Sequence, residues 1–287
     1  MADFAGRGEI SVPLTLTRGH LYNLAPLIPI LDRFLEAAAP ADKWRQLKGA
    51  VKTHAPAIGD AFVAQGDALA KEGLTQASWL DAWDGITDET VKTLLGPVQN
   101  AAAAGLTAGG AAMAKQFTVG AAFNLKNPRA VKYLKAHGAA LITDINATTR
   151  ARIATIVADG AEQGLSYTEV GNLIAAEFEA FAPPKNIVDI LLDKAAVRSR
   201  AEIVAIQELS MAYEAGNAIV VDDLVAGGLV MEKKWQTAND GKVDQDICAA
   251  NQAQGWIPYA DDFQSGHATA PGHVICRCAT LHRRKPR

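Results

Sequence analysis

Leu229-Val-Met-Glu-Lys-Lys-Trp-Gln-Thr237 marks the point at which the chain changes character. The stretch reads as a β-strand, whereas most of the chain from residue 21 to residue 226 carries helical spacing, broken in places. Beyond it Gly, Asp, Asn, Gln and Pro dominate and helix signals fade. The pattern predicts an α+β fold, with a mainly helical body and a small, irregular, β-containing C-terminal module. Three segments follow from it: an Ala-rich helical N-terminal region over 1–115, a helical connector over 116–198, and the module over 199–287. No internal repeat is present.

Upstream of the strand, residues 199–226 read as a helix that stops at Gly227-Gly228, and 185–196 as another. Ser166-Tyr-Thr-Glu169 is a capping box opening a helix that carries Val170, Leu173, Ile174 and Phe178 and ends before Pro183-Pro184. Asn127-Pro128 sets a capping side chain before a proline at the first helical position, with Gly138 as the stop. Asn146 or Thr148 opens a further helix, with Ile153, Ile156 and Val157 on one face and Gly160 or Gly164 at its close. Asp42, Ser78 and Asp88 read as earlier helix starts. The Ala/Gly/Leu run from Asn100 to Lys115 fits either a closely packed helix or a linker, and 10–17 reads as an extended lead-in held to an edge by Pro13.

At about 150 residues per domain, 287 residues correspond to about two domains. Hydrophobic residues at 49% and charged residues at 21% are ordinary for a globular chain. A net charge of −3 excludes a whole-surface basic footprint for nucleic acid, so any DNA contact is local. The N-terminus lacks the pattern of a secretory signal, and no run approaches the roughly 20 apolar residues that span a bilayer. The expectation is a protein made in a cytoplasm, soluble there and with no membrane partner.

All three cysteines, Cys248, Cys276 and Cys278, lie close to His267, His273 and His282, and Asp240, Asp244 and Asp246 share the segment. An odd count without a signal peptide argues against a secreted disulfide scaffold. Cys248, His273, Cys276 and Cys278 offer four N/S donors, the set that suits a structural tetrahedral zinc, and a small module with little core commonly needs such a staple. The spacing departs from paired Cys-x-x-Cys motifs, and a cysteine pair or plain packing of buried thiols is the alternative. Cys276 or Cys248 with His273 and an aspartate would supply the residue types for thiol catalysis. Trp235 at the strand exit is the natural packing centre of the module, with Thr237 and Asp240 organising the following turn. Glu208, inside an apolar helical stretch, either takes a paired polar role or faces solvent. Arg283-Arg284-Lys285-Pro286-Arg287 could neutralise phosphates or remain a solvated end. The glycines at 105, 109 and 110 lack the Lys-Ser/Thr and preceding strand of a phosphate loop.

The run Lys234-Trp-Gln-Thr-Ala-Asn-Asp240, Cys248-Ala-Ala-Asn251, Gly255-Trp-Ile-Pro258, Phe263-Gln-Ser-Gly266 and Pro271-Gly-His273-Val-Ile-Cys276-Arg-Cys278 resembles the phage head morphogenesis domain of the Mu F-like minor head proteins. Upstream, Asn127-Pro128, Gly138, Asn146-x-Thr148-Thr149, Gly160, Gly164-Leu-Ser166, Arg200-Ala and Glu208 are similar too, so the resemblance covers about residues 120–282. This chain departs from the family at Gln245, where the first cysteine of a Cys-x-x-Cys would stand, and at Val274, where a proline follows the histidine. Ile206-Gln207 also stands where many members carry Arg-Thr ahead of the glutamate.

The resemblance implies that Glu208, Trp235, Thr237, Asp240, Cys248, Gly255, Phe263, His273, Cys276, Arg277 and Cys278 form a structural signature rather than a catalytic set. It implies a non-enzymatic minor structural protein of a tailed phage or prophage head, made in the bacterial host and carried in the virion. Its expected partners are portal and capsid or scaffold proteins, with Arg283, Arg284, Lys285 and Arg287 reaching packaged DNA. The expected cofactor is none, or a structural zinc on Cys248, His273, Cys276 and Cys278. Because such domains also occur joined to toxins, the alternative is an enzyme or effector using Glu208, Asp240, His273 and Cys276. The two separate on geometry: an open pocket joining those four side chains favours chemistry, and a closed Cys/His cluster favours structure.

Overall fold

The computed structural model describes residues 40–73, 75–76, 78–117, 123–181, 200–239, 243–273 and 276–286. The lead-in expected at 10–17, the helix expected at 185–196, Asp240 and Arg287 lie outside the described residues. Five helices make the body: α1 Pro40–Gly73, α2 Trp79–Gln116, α3 Pro128–Glu162, α4 Tyr167–Ala180 and α5 Arg200–Ala226. The module follows with β1 Met231–Gln236, a π-helical turn Gln245–Ala249 running into α6 Ala250–Ala253, β2 Trp256–Pro258 and β3 Ala279–Arg284. The α+β class read from the sequence is the fold observed.

Several helix ends are set by local chemistry. Ser78 accepts from Asp81 N–H (3.1 Å) at the start of α2, and Asn127 accepts from Arg129 N–H (2.9 Å) ahead of Pro128. Ser166 and Glu169 form the complete capping box of α4, and Val170, Ile174 and Phe178 face inward, while Leu173 is exposed. Other expected boundaries are absent. Asp42 lies within α1 and Asp88 within α2, and the Asn100–Lys115 run is helix rather than linker. Gly138 does not stop α3, which runs unbroken through Asn146 and Thr148 to Glu162, with Gly164 following at φ +68°. A glycine in a helix interior costs only about 1 kcal/mol, and Ile145, Ile153 and Ile156 anchor α3 in the core. Thr148 and Thr149 hydroxyls both donate back to the Ile145 carbonyl (2.9 and 2.8 Å), the behaviour of mid-helix residues rather than caps.

One apolar cluster runs through all five helices, with Phe62 and Leu69 from α1, Trp83 and Leu94 from α2, Ile153 from α3, Phe178 from α4 and Leu209 from α5. Where α2 crosses α5, small residues bring the backbones together. A Cβ placed on Gly105 would lie 2.6 Å from the Leu209 carbonyl oxygen, and one on Gly109 or Gly216 would overlap the carbonyl of Tyr213 or Leu106.

The sheet has the order β2-β1-β3, antiparallel throughout, with Lys233 opposite Ile257 and His282. Met231, Lys233 and Trp235 of β1 point inward. The buried Lys233 ammonium is satisfied by the Ala268 carbonyl (2.7 Å) and lies over the Phe263 ring (5.2 Å). Lys285 N–H donates to Val230 O (2.8 Å), which fixes the phase of the β1–β3 ladder and turns the backbone groups of Thr280 and His282 outward. Helix side chains close that outer edge. Thr280 N–H donates to Glu214 Oε1 (3.3 Å), Gln116 Nε2 donates to the His282 carbonyl (3.1 Å), and Lys43 Nζ donates to the Cys278 carbonyl (3.0 Å). Lys43 and Glu214 form a buried ion pair at 2.8 Å, and Trp44 Nε1 donates to the Arg277 carbonyl (2.9 Å). Burial pushes the Glu214 carboxyl up, and the Lys43 ammonium opposes that shift.

Two stability tests follow. Gly109→Val is expected to lower unfolding stability by about 3 kcal/mol in urea titration, because the new side chain meets a carbonyl on α5. Lys43→Met leaves a buried carboxylate without its cation and is expected to cost about 3–5 kcal/mol. Lys43→Met combined with Glu214→Leu is expected to recover at least half of that loss, and simple additivity of the two single changes would show that the ion pair is not coupled.

Candidate metal centre

Trp235 is the packing centre of the module, fully buried on β1, with its ring edge-on to Phe263 at 5.1 Å. Cys248, Ala270, Cys276 and Cys278 share its cluster. Asp244 Oδ1 accepts from Ile247 N–H (2.7 Å) and so starts the π-helical turn that carries Cys248 inward. Thr237 N–H donates to Gln252 Oε1 (2.7 Å), which ties the exit of β1 to α6. Buried Asn251 donates to Ser265 Oγ (2.7 Å), and Ser265 Oγ lies 2.8 Å from His267 Nδ1. Gly255 turns the chain from α6 into β2 at φ +71°, a conformation that side chains resist.

These elements bring three of the four expected donors into one group. Donor atoms of Cys248, His273 and Cys276 all lie within 4.8 Å of one another, and the two sulfurs are 3.6 Å apart. Cys248 and Cys276 are buried and His273 is half-buried. The sulfurs stand well beyond the disulfide bond length of about 2.05 Å, and all three cysteines are free. Two thiolates each about 2.3 Å from a tetrahedral zinc would be about 3.8 Å apart, so the observed spacing suits a shared ion. It equally suits thiols in hydrogen-bonded contact. The group could therefore hold a metal. Cys278 is not part of that group, although its thiol hydrogen-bonds to Cys276.

The local field concentrates negative charge on one sulfur. Hydrogen bonds from the Cys278 thiol, from the backbone N–H groups of Cys278 and Gly272, and from the Cys248 thiol outweigh burial and hold Cys276 down at about 5. Burial, reinforced by the Cys276 charge, pushes Cys248 up to about 12. The hydrogen bond that Cys278 makes to Cys276, together with burial, raises Cys278 as well. A single buried thiolate donor backed by a half-buried imidazole is what a soft cation binds.

The other residues singled out from sequence sit elsewhere. Glu208 is fully buried on α5, not solvent-facing, and its charge reaches Tyr133 of α3. Glu208 precedes Glu214 by six residues, about 9 Å along the helix axis, and Glu214 is the residue that meets the module. Gln245 is exposed, with its amide donating to the Val243 carbonyl, and Asp246 is also exposed. His282 is buried in β3 and held down at about 3 by burial and the Lys233 charge. Arg283 is no free tail residue: it pairs with Glu232 (2.8 Å) and its guanidinium lies over Trp256 at 4.2 Å. Lys285 is exposed.

Sequence reasoning passed over Lys43, Trp44 and Glu214. Glu214 and Asn217 stand three apart in an otherwise apolar helical run, the same signal that drew attention to Glu208. A cavity of about 20 Å³ beside the seam is lined by Lys43, Gln116, Asn217 and Thr280 among others, and by none of Glu208, His273 or Cys276. No protein-family model, no curated protein and no solved structure matches the chain.

Proposed function

We propose that the chain is a non-enzymatic minor structural protein of a tailed phage or prophage head, acting at the portal or inside the procapsid during assembly, packaging or ejection. One observation carries this reading. The residues of the head-morphogenesis pattern, Trp235, Thr237, Cys248, Gly255, Phe263, His273, Cys276, Arg277 and Cys278, gather in one small closed module. There they pack, cap and turn the chain, as a structural signature does. The enzyme or effector alternative draws less support. Glu208 belongs to the helical body and Cys276 is 1% exposed, which denies a thiolate nucleophile access to substrate.

Within this reading the Cys/His group is a structural zinc centre. Cys248, His273 and Cys276 would hold the ion, with Cys278 beside Cys276 to complete the shell, and the ion would supply the crosslink that a module of this size needs. Three short strands and a single-turn helix give little core of their own. Portal and capsid or scaffold proteins are the partners in this reading. Any DNA contact falls to Arg284, Lys285 and Arg287, since Arg283 is committed to Glu232 and Trp256.

Tagged protein recovered from phage-producing cells is expected to bring down portal and capsid proteins and to be present in purified virions. An eluate without either, together with absence from virions, overturns the assignment. Full-length protein made in zinc-replete medium is expected to carry about one equivalent of zinc, reduced severalfold by Cys248→Ser or Cys276→Ser. Less than about 0.2 equivalents in the parent protein rules zinc out.

A further inference from the structure

The Cys/His group and the seam between body and module share one short run of backbone. Cys276 places its sulfur in the group, and Cys278 hydrogen-bonds to that sulfur. In the same run, the Arg277 carbonyl accepts from Trp44 Nε1 (2.9 Å) and the Cys278 carbonyl accepts from Lys43 Nζ (3.0 Å). Two residues on, Thr280 N–H meets Glu214 (3.3 Å). Residues 276–278 belong to no strand or helix, so nothing periodic fixes where these carbonyls point.

Peptide planes are rigid, and each residue has only two soft dihedrals. Anchoring the Cys276 sulfur therefore narrows the directions open to the next two carbonyls. Hydrogen bonds weaken steeply with angle, so that narrowing is felt at Trp44 and Lys43. Both events also require the same three residues to be ordered, and whichever comes first removes that entropy cost from the second.

We propose that metal binding at Cys248, His273 and Cys276 is coupled to docking of the first turns of α1 on the module: a loaded centre tightens the Lys43/Trp44 seam and an empty one loosens it. The proposal rests on the metal reading above. It gives the centre a regulated output, because residues 1–39 join the described chain at the turn that Lys43 and Trp44 hold. Linkage requires reciprocity, so weakening the seam must weaken metal binding by the same factor.

The test uses the full chain, with zinc as the probe. Trp44→Phe keeps an aromatic ring and removes the N–H donor. It is expected to raise the zinc Kd about fivefold against a chromophoric chelator at unchanged stoichiometry, the equivalent of one hydrogen bond of about 1 kcal/mol. Leu173→Ala, on the exposed face of α4, is expected to leave the Kd unchanged. In the parent protein, zinc is expected to slow amide exchange across residues 45–52 severalfold, a readout that needs no variant. Zinc bound with equal affinity by parent and Trp44→Phe, with no change in exchange at α1, overturns the coupling and leaves the metal centre standing. No zinc bound by the parent overturns both.

Discussion

The buried Lys43–Glu214 ion pair is the interaction on which the arrangement of body and module depends. β3 is an edge strand, and an unpaired edge inside a protein is a row of polar groups that must be satisfied. Here the partners are side chains. Lys43 serves the Cys278 carbonyl, Glu214 serves the Thr280 N–H, and the two neutralise each other at 2.8 Å. Neither charge is tolerable there alone, because an isolated buried charge costs several kcal/mol. The sheet therefore has one position against α1 and α5 at which all of these demands close, and the Cys/His group is positioned with it.

Much of the helical body was readable from local chemistry. Ser78, Asn127-Pro128 and the Ser166/Glu169 box each place a side-chain oxygen against an early helical N–H, a short-range interaction that sequence order specifies. The change of period at 229–237 located β1 to within two residues at one end and one at the other. What failed were boundaries decided by packing. Gly138 and Asn146 carry local helix-ending and helix-starting preferences worth about 1 kcal/mol, and the core contacts of Ile145, Ile153 and Ile156 outweigh them. The Ala/Gly run around residue 105 was undecidable alone, since its helical state is stabilised by the approach of α5 more than 100 residues later.

The same distinction holds for the candidate site. Cysteine clustering near the C-terminal end of the chain pointed to a compact Cys/His group, and three of its four members do converge. Choosing Glu208 over Glu214 failed because both are acidic residues on one largely buried helix, and only the position of β3 tells them apart. Arg283 was expected in a charged tail and is instead the last but one residue of β3, stacked on Trp256. Its pairing is cross-strand, between residues 51 apart in sequence, and no local rule announces it.

The Lys43–Cys278 bond joins residues 235 apart. During synthesis the amino-terminal helix emerges first and carries an ammonium whose acceptors, Glu214 and the Cys278 carbonyl, are not yet made. At about 5–20 residues per second the wait is on the order of ten seconds or more, a long exposure for a lysine destined to be buried. The body can collapse on its apolar cluster in that time, but the Lys43 site closes only once β3 has left the ribosome. The ion pair thus works as a proofreading step for translation: a chain broken off before residue 278 is left with an open cleft, which marks it for capture by chaperone or protease.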